Sequence, residues 1–379
     1  MSAPLSARIA RFATEVEWHG LSPARRFKTG WILADFIAST LAGSTLPEAA
    51  SGFALAQSGP VCLPGDSRGL SPQSAALAMG TIGALLQIHD GYGGGGNHPC
   101  SAIISALWAS RRTDQPLSDL LLPIVVGYEV ANRLAGASHP AQTLAGIAPT
   151  STTGTVGAAA AAARLRGLNA AATQRAINIA AFSAPLAALR GLTEHGSVNP
   201  LHGGLAARAA LDAVELAVAG LDAGATILDP VALLFGQPPR PAHELYDRLM
   251  SMPWAIASTL VHQKFGFDNV IARARDPRIE ALYPRIRNRV DAEFAADYPR
   301  TFSTRVELIF TDGARRIGEC RMEYGVPAEH GPYSPRGTTT KPLDGEGLAR
   351  KFFDLACRRV SRGEAEQLLN KIVNLEQPV

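Results

Sequence analysis

The chain has 379 residues, 46% of them hydrophobic and 18% charged, so it is long enough for about two domains with a sizeable core. A net charge of +3, without basic residues clustered among aromatic ones, argues against a nucleic-acid partner. The sequence shows no uninterrupted apolar run long enough for a membrane span, no secretory h-region and no CxxC pair among its four cysteines. We therefore expect a cytoplasmic protein that uses neither a zinc site nor a disulfide framework.

The first 220 residues are dominated by the apolar spacing of helices. Ser71-Pro72 predicts a cap and a first helical residue, Pro99 predicts another helix start, and Asn169 predicts a third cap. The run from Gly154 to Ala163 consists almost entirely of small residues, which is typical of closely packed helices at the centre of a bundle. We predict an all-α domain whose helices cover 3–42, 72–86, 99–108, 116–135, 154–163, 169–180 and 200–220.

The pattern changes after about residue 266. Residues 305–310 alternate between apolar and polar, Asp312-Gly313 offers a turn, and residues 317–324 alternate again, which predicts a β-hairpin. Residues 287–294 could add a third strand. From Gly345 the apolar spacing becomes helical once more.

We therefore predict a mainly α protein made of a large helical part and a small α+β unit. The helical part comprises residues 1–265 plus 342–379, and the α+β unit comprises residues 266–341. The final helices would return to the first domain.

The loop over residues 88–100 is the richest concentration of chemistry in the chain. It holds His89, Asp90, Tyr92 and His98 among five glycines, between two segments that read as buried helices. Imidazoles and carboxylates are common proton-transfer groups, and loops held by rigid helices often carry function. A flexible surface connection that happens to contain histidines is the alternative.

The same loop contains a formal G-x-G-x-x-G at Gly91, Gly93 and Gly96. A dinucleotide-binding fingerprint needs a preceding strand and a following helix within a βαβ unit. Because the preceding segment is helical and no parallel-sheet pattern follows, we do not expect nucleotide binding. Cys100 should lie in the first turn of the next helix, where a thiolate role is an open alternative.

Two further loops carry polar groups. Residues 190–204 include His195 and His202; His202 should begin a helix and either face a pocket or cap exposed backbone, whereas for His195 we favour a surface position. In residues 149–154, hydroxyls and free backbone N–H groups around Thr150 form either an anion site or a plain helix cap.

Taken together, several stretches in order resemble the MmgE/PrpD family, which includes 2-methylcitrate dehydratase, cis-aconitate decarboxylase and iminodisuccinate epimerase. The resemblance covers most of the chain. It implies a large helical domain, a smaller α+β lid domain, a homodimer and catalysis without a metal or organic cofactor. The similar stretches are Asp90 with His98-Pro99-Cys100, residues 127–134, 150–168, 196–207, 251–257, 276–278 and 351–353.

The chain also departs from the family pattern, as a divergent and shortened member with a truncated lid. Gln87-Ile88-His89-Asp90 stands where the family has Asp-x-Asp-Asp, so one carboxylate remains. A family histidine is replaced by Ala148, a lysine by Asn199 and a tyrosine by Trp254, and a Lys, Cys and His stretch is missing between about 230 and 250. Because those cations would neutralise a di- or tricarboxylate, their loss predicts a less anionic substrate.

Our leading hypothesis is a cofactor-independent lyase or isomerase that abstracts a proton next to a carbonyl or carboxyl group. Dehydration, decarboxylation, cyclisation and epimerisation are the reactions this allows. The rival is a non-catalytic relative that binds a small molecule or a partner subunit, or works beside a complete paralogue. We expect a small-molecule substrate and no metal, nucleic acid or membrane partner. The candidate catalytic residues are His98, His202, Asp90 and His89, and the candidate substrate-binding residues are Gln87, Tyr92, Thr150, Asn199 and Trp254.

Overall fold

A computed structural model gives a mainly helical protein, as the sequence predicts. It describes residues 3–193, 197–228, 252–263, 268, 276–282, 285–287, 291, 293–294, 303–320 and 345–373. The α-helices in these ranges are α1 (Leu5–Glu15), α2 (Pro23–Gly43), α3 (Pro72–Ala84), α4 (Pro99–Ser110), α5 (Leu121–Ser138), α6 (Ala141–Leu144), α7 (Pro149–Leu165), α8 (Ala170–Ser183), α9 (Leu189–Thr193), α10 (Leu201–Val218), α11 (Met252–His262), α12 (Pro277–Leu282), α13 (Gly345–Ala356) and α14 (Arg362–Val373). Short 3₁₀ helices cover Trp18–Gly20, Pro47–Phe53 and Leu117–Leu120, and the strands are β1 (Ser58–Val61), β2 (Thr304–Ile309) and β3 (Arg315–Cys320).

The predicted helix starts are confirmed. The Ser71 hydroxyl accepts the backbone N–H of Ser74 at 3.3 Å, and the Asn169 side chain accepts that of Ala172 at 2.9 Å. Each bond satisfies one of the N–H groups that a helix start leaves without a partner. Pro99 is the first residue of α4, where its missing N–H costs nothing.

The core lies around α7, which packs against α4, α5, α8 and α10. Residues 158–163 of this helix are all buried alanines. A Cβ on Gly157 would lie 2.6 Å from the Gly127 carbonyl oxygen of α5, so the two helix backbones are in direct contact. The small-residue run therefore occupies the bundle centre, as predicted.

One segment of the described chain, Leu117–Ser138, is long and apolar enough to cross a membrane by length and composition. Its sequence is interrupted by the charged residues Asp119, Glu129 and Arg133. Half of its most apolar window is buried inside the protein, and the helix packs tightly against α7. These properties fit a core helix.

The predicted hairpin is confirmed by β2 and β3, which pair antiparallel from Thr304 opposite Cys320 to Ile309 opposite Arg315. The turn contains Gly313 with φ at +85°, a value that glycine adopts without strain. Residues 321–324 of the predicted second strand lie outside the described residues. Of the predicted third strand at 287–294, residues 293 and 294 form a helical turn, and no described residue there is in a strand.

The C-terminal helices return to the large helical part, since both α13 and α14 pack against α2. The predicted apolar face of α13 is buried at Phe352, Leu355 and Ala356. The domain bounds themselves stay a prediction. Because α13 packs against α2, the charged side of α13 lies next to the loop between α3 and α4.

Candidate active site

The histidine-bearing loop begins with an unusual backbone turn. Gln87 has φ at +51°, a left-handed conformation that costs a non-glycine residue roughly 1 kcal/mol or more. Its side-chain amide donates to the Ala84 carbonyl at 2.7 Å, which caps the end of α3. The turn directs His89 into the interior, where its side chain is 6% exposed. The described contact of Gln87 is therefore structural, and its predicted role in substrate binding stays a prediction.

The glycines of this loop make room for an aromatic ring. Tyr92 and Asn97 form an antiparallel bridge, with the Tyr92 N–H donating to the Asn97 carbonyl at 2.8 Å. A Cβ on Gly95 would lie 2.9 Å from the Tyr92 ring, so the ring covers its own turn. Because helix α3 precedes the loop, the glycines do not form a βαβ nucleotide site. Substrate binding by Tyr92 stays a prediction.

His98 is the N-cap residue of α4 and is held at two points. Its backbone N–H donates to the Thr150 hydroxyl at 2.8 Å, and its ring Nδ1 lies 2.7 Å from the Asp90 carbonyl oxygen. A carbonyl oxygen can only accept, so Nδ1 carries the proton. The lone pair of the neutral ring is therefore on Nε2. In this contact Thr150 positions His98, and its predicted role in substrate binding stays a prediction.

His202 is anchored in the same way at the start of α10. Its Nδ1 donates to the Asn199 carbonyl, which again leaves the lone pair on Nε2. The side chain is 3% exposed. Burial is the main cause that lowers the pKa of His202 from 6.5 to about 4; the bond to Asn199 acts against this shift, and charge on His98 acts with it. The ring is consequently neutral at pH 7 and can accept a proton.

Glycines explain how these two anchored rings come into one neighbourhood. A Cβ on Gly80 of α3 would lie 2.6 Å from Gly204 Cα and 2.8 Å from the Ser101 carbonyl oxygen. A Cβ on Gly203 would lie 2.5 Å from the Ser101 side chain. The backbones of α3, α4 and α10 thus meet where α10 begins, which brings His202 next to the start of α4.

His89 completes a group of three imidazoles. Its ring centroid lies 4.8 Å from that of His98 and 6.1 Å from that of Phe36. Among the described residues, neither of its ring nitrogens has a hydrogen-bond partner. Burial lowers its pKa well below 6.5, and positive charge on His98, His202 or Lys351 would act in the same direction. A proton on His89 is therefore disfavoured.

Asp90 is shared between the loop and α5. The Tyr128 hydroxyl donates to its Oδ2 at 2.8 Å. Burial and the Asp90 charge raise the pKa of Tyr128 and that of Cys100 well above their usual values. Both groups therefore keep their protons, and this environment opposes the thiolate role considered for Cys100. Tyr128, which sequence reasoning did not select, is a direct partner of a predicted catalytic residue.

Three charged residues near this site were also missed by sequence reasoning. Lys351 of α13 donates to the Ile88 carbonyl at 2.5 Å and pairs with Asp35 of α2 at 2.7 Å. Lys28 is partly buried, and burial lowers its pKa while the charges of Asp90 and Asp35 raise it. Positions 28 and 35 share helix α2, but no spacing signal could have joined them to positions 88 and 351, because the fold brings these together over long separations.

Three further residues that the sequence analysis discussed, Asn199, Trp254 and His195, remain to be placed relative to the three histidines. Asn199 is fully buried, and neither atom of its amide has a partner. Trp254 is buried in α11, which packs against α12, and its role in substrate binding stays a prediction. His195 lies outside the described residues. Within the described ranges, no three His, Cys, Asp or Glu side chains are arranged to hold a metal ion.

Comparison with known proteins agrees with the resemblance read from the motifs. The MmgE/PrpD N-terminal domain matches residues 7–237, and the MmgE/PrpD C-terminal domain matches residues 225–377. The chain belongs to the MmgE/PrpD family. The two matches together cover nearly the whole chain, including the histidine loop and the helix that carries Lys351.

Two cis-aconitate decarboxylases are among the similar MmgE/PrpD proteins. The protein of Mus musculus is 34% identical over 138 residues, which is 35% of this chain and 28% of that protein. The protein of Homo sapiens is 34% identical over 139 residues, again 35% of this chain and 28% of that protein. The matched stretch therefore spans less than a third of either decarboxylase.

Proposed function

We propose that this protein is a cofactor-independent lyase or isomerase that moves a proton next to a carbonyl or carboxyl group. The observation that carries the proposal is the pair His98 and His202. Each has Nδ1 fixed by a backbone carbonyl and Nε2 left as the reactive nitrogen. Two imidazoles held in this way are suited to act as acid and base on one bound molecule.

The environments of the two histidines suggest their roles. His202 is neutral because burial lowers its pKa to about 4, so its Nε2 can accept the proton from carbon. The resulting electron pair would move onto the neighbouring carbonyl oxygen. His98 is less buried and can exchange protons with solvent, so we assign it to protonate the product or leaving group. Asp90 would offset the positive charge formed on His98.

The polar groups around the histidines support a substrate of low charge. Among the described residues of the cluster, the cations Lys28 and Lys351 face the carboxylates Asp35 and Asp90, so their formal charges cancel. The buried amide of Asn199, which has no protein partner, can donate to and accept from a substrate. A neutral or singly charged carbonyl compound would suit this setting better than a tricarboxylate.

The family supports lyase-type chemistry, because the two named relatives are decarboxylases. Decarboxylation, dehydration, cyclisation and epimerisation all fit a carbanion or enolate formed between two imidazoles. We further propose that the protein works in the cytoplasm as a homodimer. The competing proposal is a non-catalytic relative that retains the pocket for binding.

A metabolite screen by mass spectrometry distinguishes these functions. Purified wild-type protein should deplete one compound of a metabolite extract and produce another, whereas His98→Ala should not. His202→Asn keeps a donor for the carbonyl that anchors residue 202 but has no Nε2, so it should also be inactive. His19→Ala, at a surface histidine with an 81% exposed side chain, is the matched control and should retain turnover.

The outcomes separate cleanly. Loss in both site variants with a retained control supports the proposal. Turnover that is unchanged in both site variants overturns the assignment. Binding of a metabolite without any product would favour the non-catalytic alternative.

A further inference from the structure

Lys351 lies in one of the stretches that resemble the family, 351–353, but the sequence assigned it no role. It lies on α13, 263 positions away from the loop it contacts. Its ammonium donates to the Ile88 carbonyl at 2.5 Å and also pairs with Asp35 Oδ1 at 2.7 Å. One side chain from the C-terminal return thus binds both α2 and the backbone of the histidine loop.

The carbonyl that accepts from Lys351 belongs to Ile88, and both neighbours of Ile88 in the chain have unusual environments. Gln87 has the left-handed backbone conformation, and His89 is buried with no hydrogen-bond partner on its ring. A left-handed non-glycine residue persists only where its surroundings hold it. The amide of Gln87 holds the α3 side of the turn, and Lys351 holds the other side at Ile88.

The imidazole of His89 has little else to fix it. Its described contacts are ring packing against His98 and Phe36. Because no hydrogen bond orients the ring, its position depends on where the backbone at Ile88 is held. The ion pair with Asp35 in turn limits where the Lys351 ammonium can lie, since Asp35 extends from the packed helix α2.

We propose that Lys351 is a positioning residue that fixes His89 against His98 by holding the Ile88 carbonyl. The C-terminal return is then part of the active site without touching the substrate. The consequence for turnover rests on the proposed histidine chemistry, but the position of His89 does not. The two can therefore be tested separately.

The test compares Lys351→Met with Lys371→Met, a control at an exposed lysine of α14 that removes the same charge. Histidine side chains are labelled with ¹³C and ¹⁵N, and their imidazole resonances are followed by NMR as a function of pH. Lys351→Met should move the His89 and His98 resonances and raise the pKa of His89, because a nearby positive charge is lost. Lys371→Met should leave both unchanged.

If Lys351→Met does not fold, Lys351→Arg provides the second test. Arginine keeps the charge but places its donors differently from an ammonium. It should therefore move the His89 resonance while preserving most of the depression of its pKa. Unchanged His89 and His98 resonances in a folded Lys351→Met protein overturn the proposal, as does an unchanged His89 resonance in Lys351→Arg when only that variant folds.

Turnover supplies the link to function. A displacement of about 1 Å in a catalytic group can cost about 100-fold in rate, so Lys351→Met should lose turnover on that scale if the proposed chemistry is correct. If the His89 and His98 resonances move in Lys351→Met but turnover is unchanged, Lys351 does position His89, and His89 does not contribute to catalysis. Unmoved resonances would refute the positioning role whatever the activity.

Discussion

Acid should destabilise the folded protein through His202, and the size of this effect can be worked out. The pKa of His202 falls from 6.5 to about 4 because its ring is buried. Between these values the unfolded chain binds a proton that the folded chain does not, so the free energy of unfolding decreases as pH falls. Through this proton the free energy of unfolding is lower by about 2 kcal/mol at pH 5 and by about 3 kcal/mol below pH 4. Above pH 6.5 this effect vanishes.

The assay is urea unfolding of wild type and His202→Asn at about pH 7.5 and about pH 5. Asparagine does not titrate, so the stability of wild type relative to the variant should fall by about 2 kcal/mol at the lower pH. His19→Asn controls for replacing a histidine on the surface. A stability difference between wild type and His202→Asn that is the same at both pH values would refute the reasoning, because the buried ring would then not resist protonation.

Three further substitutions test the packing and the hydrogen bonds that build the site. Gly80→Ala should lower the free energy of unfolding in urea by about 3 kcal/mol, because the new Cβ would collide with backbone of α4 and α10. Gly363→Ala is the control: its Cβ would meet no other atom, so the change should be neutral or slightly stabilising. Thr150→Val removes the acceptor for the N–H that begins α4 and should cost about 1 kcal/mol, which Thr150→Ser should restore. Tyr128→Phe removes the donor to Asp90 and should cost about 2 kcal/mol in stability or in turnover, measured by unfolding and by kcat. The reasoning fails for Gly80, Thr150 or Tyr128 if Gly80→Ala or Thr150→Val is as stable as wild type, or if Tyr128→Phe matches wild type in both stability and kcat.

Local sequence signals predicted much of this fold because the structures they describe are local. Ser71 and Asn169 cap helices through bonds to residues three positions ahead. The turn at Gly313 likewise depends on neighbouring residues. In the predicted third strand at 287–294 the apolar residues are Val290, Ala292 and Phe294, and so short a pattern does not separate a strand from a helical turn.

The candidate site was predicted only in part for the same reason. His89, Asp90 and His98 share one loop, so the sequence placed them together. His202 joins them because glycines let α10 approach α4, and family resemblance pointed to it where spacing could not. Lys351 lies in a stretch that resembles the family, but its contact with the loop was not predicted, since its partner Ile88 is 263 positions away.

The inference about charge was sharpened by the structure. The sequence suggested that the pocket has lost its cations, since Asn199 replaces a family lysine. The described residues include Lys28 and Lys351 near the histidine loop, each opposed by a carboxylate. Among the described residues near the histidine loop, the formal charges of these lysines are therefore balanced by carboxylates.

Solvent deuterium exchange tests the proton-transfer claim most directly. A metabolite mixture is incubated in D₂O with wild-type protein, His98→Ala or His202→Asn and examined by mass spectrometry. The account predicts that wild type introduces one deuterium at a carbon next to a carbonyl or carboxyl group of its substrate or product, and that both variants fail to do so. Deuterium incorporated equally by wild type and both variants would contradict it.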